Sequence, residues 1–384
     1  MPRFAVLVPL VLQLAACTPH LAAPDAPWRD KTGVELDLGP YIVALDDGRF
    51  AVVVDDPALK RPPRLFWWIG RDEDHREVTA SRRDDLWVAV LDPPPGARVH
   101  YRVRAGGRSV GPFAFKAGER RGSSFRFAVY GDTRTRHIVN WEVVKGLSRE
   151  RIDFAVHTGD LVSFGVQERE WRRFFAIQRP LMVKAPLFPM MGNHDVSKLG
   201  HFRRFFLADL ASGGRRYYAR DWGNLRLVVM DDEEEFREGS AQYRFIDAAL
   251  AEAAARQMLI VLAMHEPPYS SGDHGSNLTM RRTIEPLVRR HGVELVVSGH
   301  DHNYERVKPV FGVTYVVTGS AGAPIHPVHP QSFTAKVRLE PHYVLVDVEK
   351  RGLTLRAINL KGHTFDSCVI PPNPPLNPAV AAEP

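Results

Sequence analysis

Aspartate, asparagine and histidine recur in this chain directly after short apolar runs, and that placement is what could do chemistry. Val129-Tyr130 leads to Gly131-Asp132, Val156-His157-Thr158 leads to Gly159-Asp160, and Met190-Met191 leads to Gly192-Asn193-His194-Asp195. The run over 261–264 leads to His265, and Val296-Val297-Ser298 leads to Gly299-His300-Asp301-His302. Such runs read as buried strands. Loops beyond the carboxyl ends of strands in an α/β sheet converge on one crevice, so five of them would gather two aspartates, an asparagine and several histidines. Carboxylate and amide oxygens mixed with imidazole suit Zn, Mn or Fe rather than a thiolate metal site. His300 and His302, two residues apart, can address two different ions. The glycines before four of these groups are expected to let the backbone turn sharply. A lone Gly-Asp pair is most often a turn; five such motifs in order, each after a strand, are specific.

The elements that must hold these loops are legible as alternation. From residue 125 onward, apolar strand-like runs at 125–130, 154–157, 225–230, 259–264, 295–297 and 315–318 alternate with helical stretches at 141–149, 168–178, 242–255 and 279–291. This predicts an α/β layered domain. Trp171, Phe174 and Phe175 recur at helical spacing and read as core. Further strands are expected at 343–348, 353–358 and 364–370. Ahead of this domain, short runs at 41–45, 50–54, 65–69, 86–91, 99–104 and 113–115, separated by Gly, Pro and Asp, suggest a small β-sandwich over residues 33–118. Glu119-Arg120-Arg121-Gly122 reads as the linker to a domain over 123–370, and residues 371–384 as a disordered proline-rich tail.

The 384 residues suffice for two domains, and 44% hydrophobic with 25% charged residues is an ordinary globular mix. A net charge of +6 favours anionic partners weakly. No helix-turn-helix, zinc finger or aromatic-plus-basic strand signature accompanies it, so no nucleic-acid-binding module is read. Cys17 and Cys368 are the two cysteines and make no disulfide framework. Arg3, the apolar stretch 4–14 and Ala15-Ala16 read as a signal peptide over residues 1–16, too short to span a bilayer. Leu14-Ala15-Ala16-Cys17 resembles a bacterial lipobox, which implies acylation of Cys17 and an exported, membrane-anchored lipoprotein. Thr18 after the cysteine leans towards the outer membrane. Residues 17–32, with prolines at 19, 24 and 27, would be the tether. A plain cleaved signal with a chance cysteine is the alternative.

The five motifs together resemble the calcineurin-like metallophosphoesterase family, and within it the purple acid phosphatase branch. Gly299-His300-Asp301-His302-Asn303-Tyr304-Glu305-Arg306 and Val316-Val317-Thr318-Gly319-Ser320-Ala321-Gly322 are similar to that branch's signatures. The resemblance covers about 125–320 well and 33–118 loosely. It implies a layered β-sandwich flanked by helices, preceded by a fibronectin type III-like β-sandwich. It implies two divalent or trivalent ions (Fe, Mn or Zn), bridged by Asp160. Asp132 and His302 would hold the first, and Asn193, His265 and His300 the second. His194 would face the substrate as acid or charge stabiliser, with Asp195 orienting it.

Two positions depart from the family pattern. Arg134 stands where many relatives carry a metal-binding histidine, and Ser163 where purple enzymes carry a tyrosine. These imply no tyrosinate colour and a weaker first site. His137 could stand in, although it also reads as a helix-start residue. Arg134 is a candidate to clamp a phosphate oxygen. Tyr269, His274, Asn277 and Tyr304 lie near the motifs as candidate pocket walls. The function implied is a hydrolase acting on a phosphate mono- or diester, by attack of a metal-bridging hydroxide. The competing reading is a non-catalytic surface lipoprotein that retains a degenerate scaffold. No Gly-x-Ser-x-Gly elbow or phosphate-cradling Gly-Lys loop occurs, which argues against serine hydrolases and nucleotide motors.

Overall fold

The computed structural model describes Ala26, Pro27 and residues 38–375. Cys17, the leader over 1–16 and nearly all of the expected tether lie outside the described residues, as does the tail from 376.

Eight strands come first: β1 (Leu38–Ala44), β2 (Phe50–Asp55), β3 (Arg64–Trp68), β4 (Arg76–Thr79), β5 (Ser81–Arg83), β6 (Leu86–Leu91), β7 (Ala97–Ala105) and β8 (Arg108–Ala117). They form two antiparallel sheets, ordered β1-β2-β6-β5 and β4-β3-β7-β8. Strands β4 and β5 were not legible in sequence. Both are sheet edges, paired on one side only, and their residues are mostly exposed and polar. Ile42, Phe50, Val52 and Val54 face Leu65, Trp67, Tyr101 and Phe115 across the sandwich. The alternate residues Tyr41, Val43, Ala51 and Val53 pack on Trp171, Phe174 and Phe175. The β1–β2 face is therefore buried on both sides. The hydroxyls of Tyr41 and Tyr101 reach across to donate to the carbonyls of Phe205 and Val183, each at 2.8 Å.

The rest of the chain runs β9 (Phe125–Tyr130), α1 (His137–Leu147), β10 (Phe154–His157), α2 (Glu168–Met182), β11 (Leu187–Pro189), α3 (Leu199–Phe205), α4 (Ala208–Ala211), β12 (Tyr218–Trp222), β13 (Leu225–Val229), α5 (Ala241–Ala255), β14 (Leu259–Ala263), α6 (Leu278–His291), β15 (Leu295–Ser298), β16 (Tyr304–Val307), β17 (Thr314–Thr318), β18 (Thr334–Arg338), β19 (His342–Glu349), β20 (Gly352–Asn359) and β21 (Thr364–Ile370). These strands make two sheets, β11-β10-β9-β19-β20-β21 and β12-β13-β14-β15-β17-β16-β18. The period-two alternation of side chains decides how they stack. Phe127, Val129, Val261 and Val297 point into a core shared by the two sheets. Ala128 and Tyr130 face the α1–α2 side, and Ile260, Leu262 and Val296 face α5 and α6. The result is a helix–sheet–sheet–helix stack, the layered fold that the family resemblance implies.

Strand β19, expected as a late addition, lies in the middle of its sheet, antiparallel to both β9 and β20. Its near-continuous apolar run suits a position with neighbours on both sides. Among the described residues no helix is long and apolar enough to cross a membrane.

Two fully buried histidines make this fold pH-sensitive. Burial pushes His157 down to about 3 and His342 down to about 4. The ring of His157 is 3.0 Å from Thr133 Oγ1, and that of His342 is 3.0 Å from Thr318 Oγ1. The unfolded chain binds protons at these groups below about pH 6.5 while the folded chain does not. Stability is thus present above pH 6.5 and lost as pH falls towards the folded values, by about 2 kcal/mol per histidine at pH 5. In chelator, the wild type should lose more thermal stability relative to His342→Gln as pH falls from 7.5 to 4.5. Equal slopes in the two proteins would count against this account.

Candidate metal centre

Asp132 follows β9, Asp160 follows β10 and Asn193 follows β11, all neighbouring strands of one sheet. His265 follows β14, and His300 and His302 follow β15, in the other. The candidate ligands therefore meet at the seam between the carboxyl ends of two sheets, not over one. Asp132, Asp160 and His300 adopt φ of +54°, +54° and +66°, the left-handed region that non-glycine residues rarely enter. Of the motif glycines, Gly159 turns the chain at φ +90°. The others answer a different need. A Cβ on Gly192 would lie 2.4 Å from Asp160 Oδ1, and one on Gly299 would lie 2.4 Å from Asp132 Oδ2.

One half of the cluster gathers ligand-type nitrogen and oxygen atoms around one point. His265 Nδ1 donates to the Thr158 carbonyl at 2.7 Å, which leaves its Nε2 with a lone pair. That nitrogen is 3.2 Å from Asn193 Oδ1, 3.3 Å from His300 Nδ1 and 3.6 Å from Asp160 Oδ1. Burial, with the neighbouring His265, pushes His300 down to about 3, so its ring is neutral. Two imidazole nitrogens, an amide oxygen and a carboxylate oxygen so close together are the donor types that bind a transition-metal or zinc ion. The donor set fits a metal ion.

The other half is contested. Asp132, Asp160 and His302 each offer an atom within 4.8 Å of the others. His302 Nδ1 donates to the Pro324 carbonyl at 2.7 Å, turning Nε2 inward, and burial pushes this ring down to about 3. Burial and the charge of Asp160 raise Asp132 well above the usual carboxylate range. Burial also works against Asp160, but His265, His194 and Arg134 outweigh it and hold that carboxyl below its ordinary value. The Arg134 guanidinium bridges this half, with Nε 2.8 Å from Asp160 Oδ2 and Nη2 3.2 Å from His302 Nε2. It occupies the ligand atoms that a first metal ion would use.

The remaining candidates divide. His194 is a third exposed, its Nδ1 lies 3.0 Å from the Ser163 carbonyl, and its Nε2 lies 4.0 Å from Asp160 Oδ2. Asp195, expected to orient His194, turns the other way. Its buried carboxylate accepts from the backbone N–H groups of Gly192 (2.9 Å), Leu161 (3.2 Å) and Val162 (3.1 Å), tying the Asn193 loop to the Asp160 loop. His137 opens α1, and its ring meets Arg173 at 2.8 Å, away from the ligands. Tyr269 packs on Tyr315 and Phe333, Asn277 caps α6, and Tyr304 donates to Asp366. Of those four only His274 comes near the cluster, lying outside it with its ring centre 4.3 Å from that of His300. Two neighbours went unread: Asp301, hidden inside the His300–His302 motif, and His326, which follows no strand and carried no positional signal.

Two stacked sheets with an Asp–Asn–His cluster at their common carboxyl edge define a layered domain with a candidate metal site at its seam. Residues 125–304 match the family described as calcineurin-like phosphoesterase. This stretch is therefore a calcineurin-like phosphoesterase domain, and the chain around it is similar to purple acid phosphatases. It is similar to the probable inactive purple acid phosphatase 24 of Arabidopsis thaliana, 28% identical over 227 residues, covering 48% of this chain and 37% of that one. It is also similar to the probable purple acid phosphatase 20 of the same plant, 24% identical over 278 residues, covering 66% and 64%. The chain thus spans from about a third to two thirds of the length of these relatives. In fold it resembles the purple acid phosphatase PPD1 of yellow lupin (Lupinus luteus), with a TM-score of 0.76, 18% identity and coverage of 86% and 74%.

Removing the guanidinium should open the contested half. A charge-assisted hydrogen bond is worth about 1.5–3 kcal/mol, so Arg134→Ala should bind metal there roughly tenfold or more tightly. Metal content per chain, measured at fixed free zinc, should rise in the variant. An unchanged stoichiometry and affinity would show that Arg134 does not compete.

Proposed function

We propose that this protein is a metal-dependent phosphoesterase, a hydrolase of the acid phosphatase or phosphodiesterase type acting on a small phosphate mono- or diester. The observation that carries the reading is the convergence of Asp160, Asn193, His265 and His300 ligand atoms at the sheet seam. Paired cations in such a site, of the Fe, Mn or Zn class, polarise a phosphoryl group and lower the pKa of water. Asp160, which lies between both halves, would be the ligand that they share. Asp132 and His302 would complete the first half if Arg134 gave up its contacts with Asp160 and His302. The freed guanidinium, on a side chain already at the crevice, would then meet the non-bridging oxygens of the phosphate, a geometry that its planar fork suits. His194 Nε2 faces the same crevice and would protonate or hydrogen-bond the leaving oxygen, while the Ser163 carbonyl holds its ring through Nδ1.

Asp160→Asn should lower metal content and reduce hydrolysis of an aryl phosphate by several orders of magnitude. A panel of mono- and diesters assayed on the metal-analysed wild type identifies the ester class. Normal turnover by Asp160→Asn would end this reading.

A second reading has one specific support: Arg134 lies across the first half, and a relative is described as probably inactive. On that reading the chain is a non-catalytic lipoprotein with a single ion or none. Two ions per chain with turnover favours the enzyme; one or none without turnover favours the scaffold. Acylation at Cys17 would hold either form at a membrane surface. Labelled palmitate should enter the wild type in a bacterial host and not Cys17→Ser; equal labelling would remove the anchor.

A further inference from the structure

A second group of ligand-type side chains lies beside the centre and shares no residue with it. His274, Asp301 and His326 each offer an atom, and the three atoms lie within 4.8 Å of one another. Asp301 Oδ1 is 3.2 Å from His274 Nδ1 and 3.9 Å from His326 Nδ1. Two ligands held tetrahedrally on one zinc ion stand roughly 3.4 Å apart, close to both spacings. Asp301 is fully buried. It accepts from the Ser270 hydroxyl on one oxygen and from the His274 backbone N–H, at 3.0 Å, on the other.

Two features remain unexplained if Asp301 serves only to orient His274. His326 Nδ1 is shut off from solvent and has no hydrogen-bond partner. As an acceptor it would face a carboxylate, and as a donor it stops 3.9 Å from Asp301 Oδ1, too far for a hydrogen bond; a cation between them would engage both atoms. Asn303, fully buried, leaves both its Oδ1 and its Nδ2 unpaired beside the same loop. A Cβ on Gly272 would lie 2.4 Å from Asp301 Cγ and 2.7 Å from Asn303 Nδ2, so the loop is pressed onto this cradle.

The group is also held in place. Gly272 pairs with Val328 in an antiparallel bridge, joining the loop of His274 to that of His326. The His326 N–H donates to the His302 carbonyl at 3.2 Å, and the two rings lie with centres 3.8 Å apart, tilted by 34°. The His274 side chain is 43% exposed, which gives the site an entrance from solvent.

We infer that His274, Asp301 and His326 form a further divalent-cation site, of the zinc class, on the wall of the crevice. Two imidazoles and one carboxylate favour zinc over magnesium or calcium. This site is separate from the Asp160 centre and does not depend on hydrolysis. A cation here would bring positive charge beside His300 and His302 and would draw His274 Nδ1 away from hydrogen bonding.

The test is zinc binding by the full chain after removal of metal with chelator. His326→Ala should bind one zinc fewer than the wild type, or bind that equivalent at least tenfold more weakly. Asp160→Asn, crippled at the main centre, should keep an equivalent that the Asp160→Asn/His326→Ala double variant loses. Anomalous scattering at the zinc edge from wild-type crystals should place a peak between the three ligand atoms, which keeps the idea testable if a variant misfolds. Equal zinc binding by wild type and His326→Ala, or no peak there at saturating zinc, overturns the inference. Loss of hydrolysis in Asp160→Asn with this zinc retained would separate the two sites.

Discussion

The seam between the two central sheets is closed by hydrogen bonds that also set the ligands. Asp132 accepts from the His300 backbone N–H at 3.2 Å, and Thr158 accepts from the His265 ring at 2.7 Å. Each of these bonds runs from a loop of one sheet to a loop of the other. The first holds a carboxylate beside the His300–His302 turn. The second fixes a tautomer, so that His265 aims a lone pair at Asn193 and His300. Without this closure the six candidate ligands would be two unrelated half-sets on separate sheets.

Such closure concentrates buried acids and imidazoles, and the chain carries the consequences locally. Asp132, Asp160 and His300 hold strained left-handed backbone. Gly192 and Gly299 are confined by carboxylate oxygens where any side chain would collide. Arg134 supplies a positive charge between Asp160 and His302. Strain and unpaired acceptors in one place are expected where a structure is organised for a ligand rather than for stability.

The amino-terminal sandwich is part of the same framework. Its β1–β2 face packs on α2, the helix that follows the Asp160 loop, through Trp171, Phe174 and Phe175. Arg172 of that helix pairs with Asp55 of β2 at 3.0 Å. Trp222 at the edge of the second central sheet touches both Phe50 and Phe154. The sandwich thus backs one wall of the layered domain, and its contribution to the site is to hold α2 and the β10 loop in register.

Much of this was determined by the sequence alone. Each apolar run followed by Gly and a polar ligand is a local pattern, so the strands β9, β10, β14 and β15 and the residues at their ends were legible from period and composition. Helices α2, α5 and α6 were legible from apolar spacing. What the tertiary structure decided depends on contacts between distant segments. That two sheets rather than one share the site follows from which face of each strand finds a partner. Asp195 reads as an orienter of its neighbour His194, but burial turned it towards backbone N–H groups. Arg134 reads as free to meet a phosphate, yet it lies across Asp160 and His302, residues 26 and 168 positions away. His326 and Asp301 had no spacing rule linking them, because a loop pairing between Gly272 and Val328 is what brings them together. Local patterns record what a segment forms, whereas side-chain direction across a seam is set by packing that only the folded chain possesses.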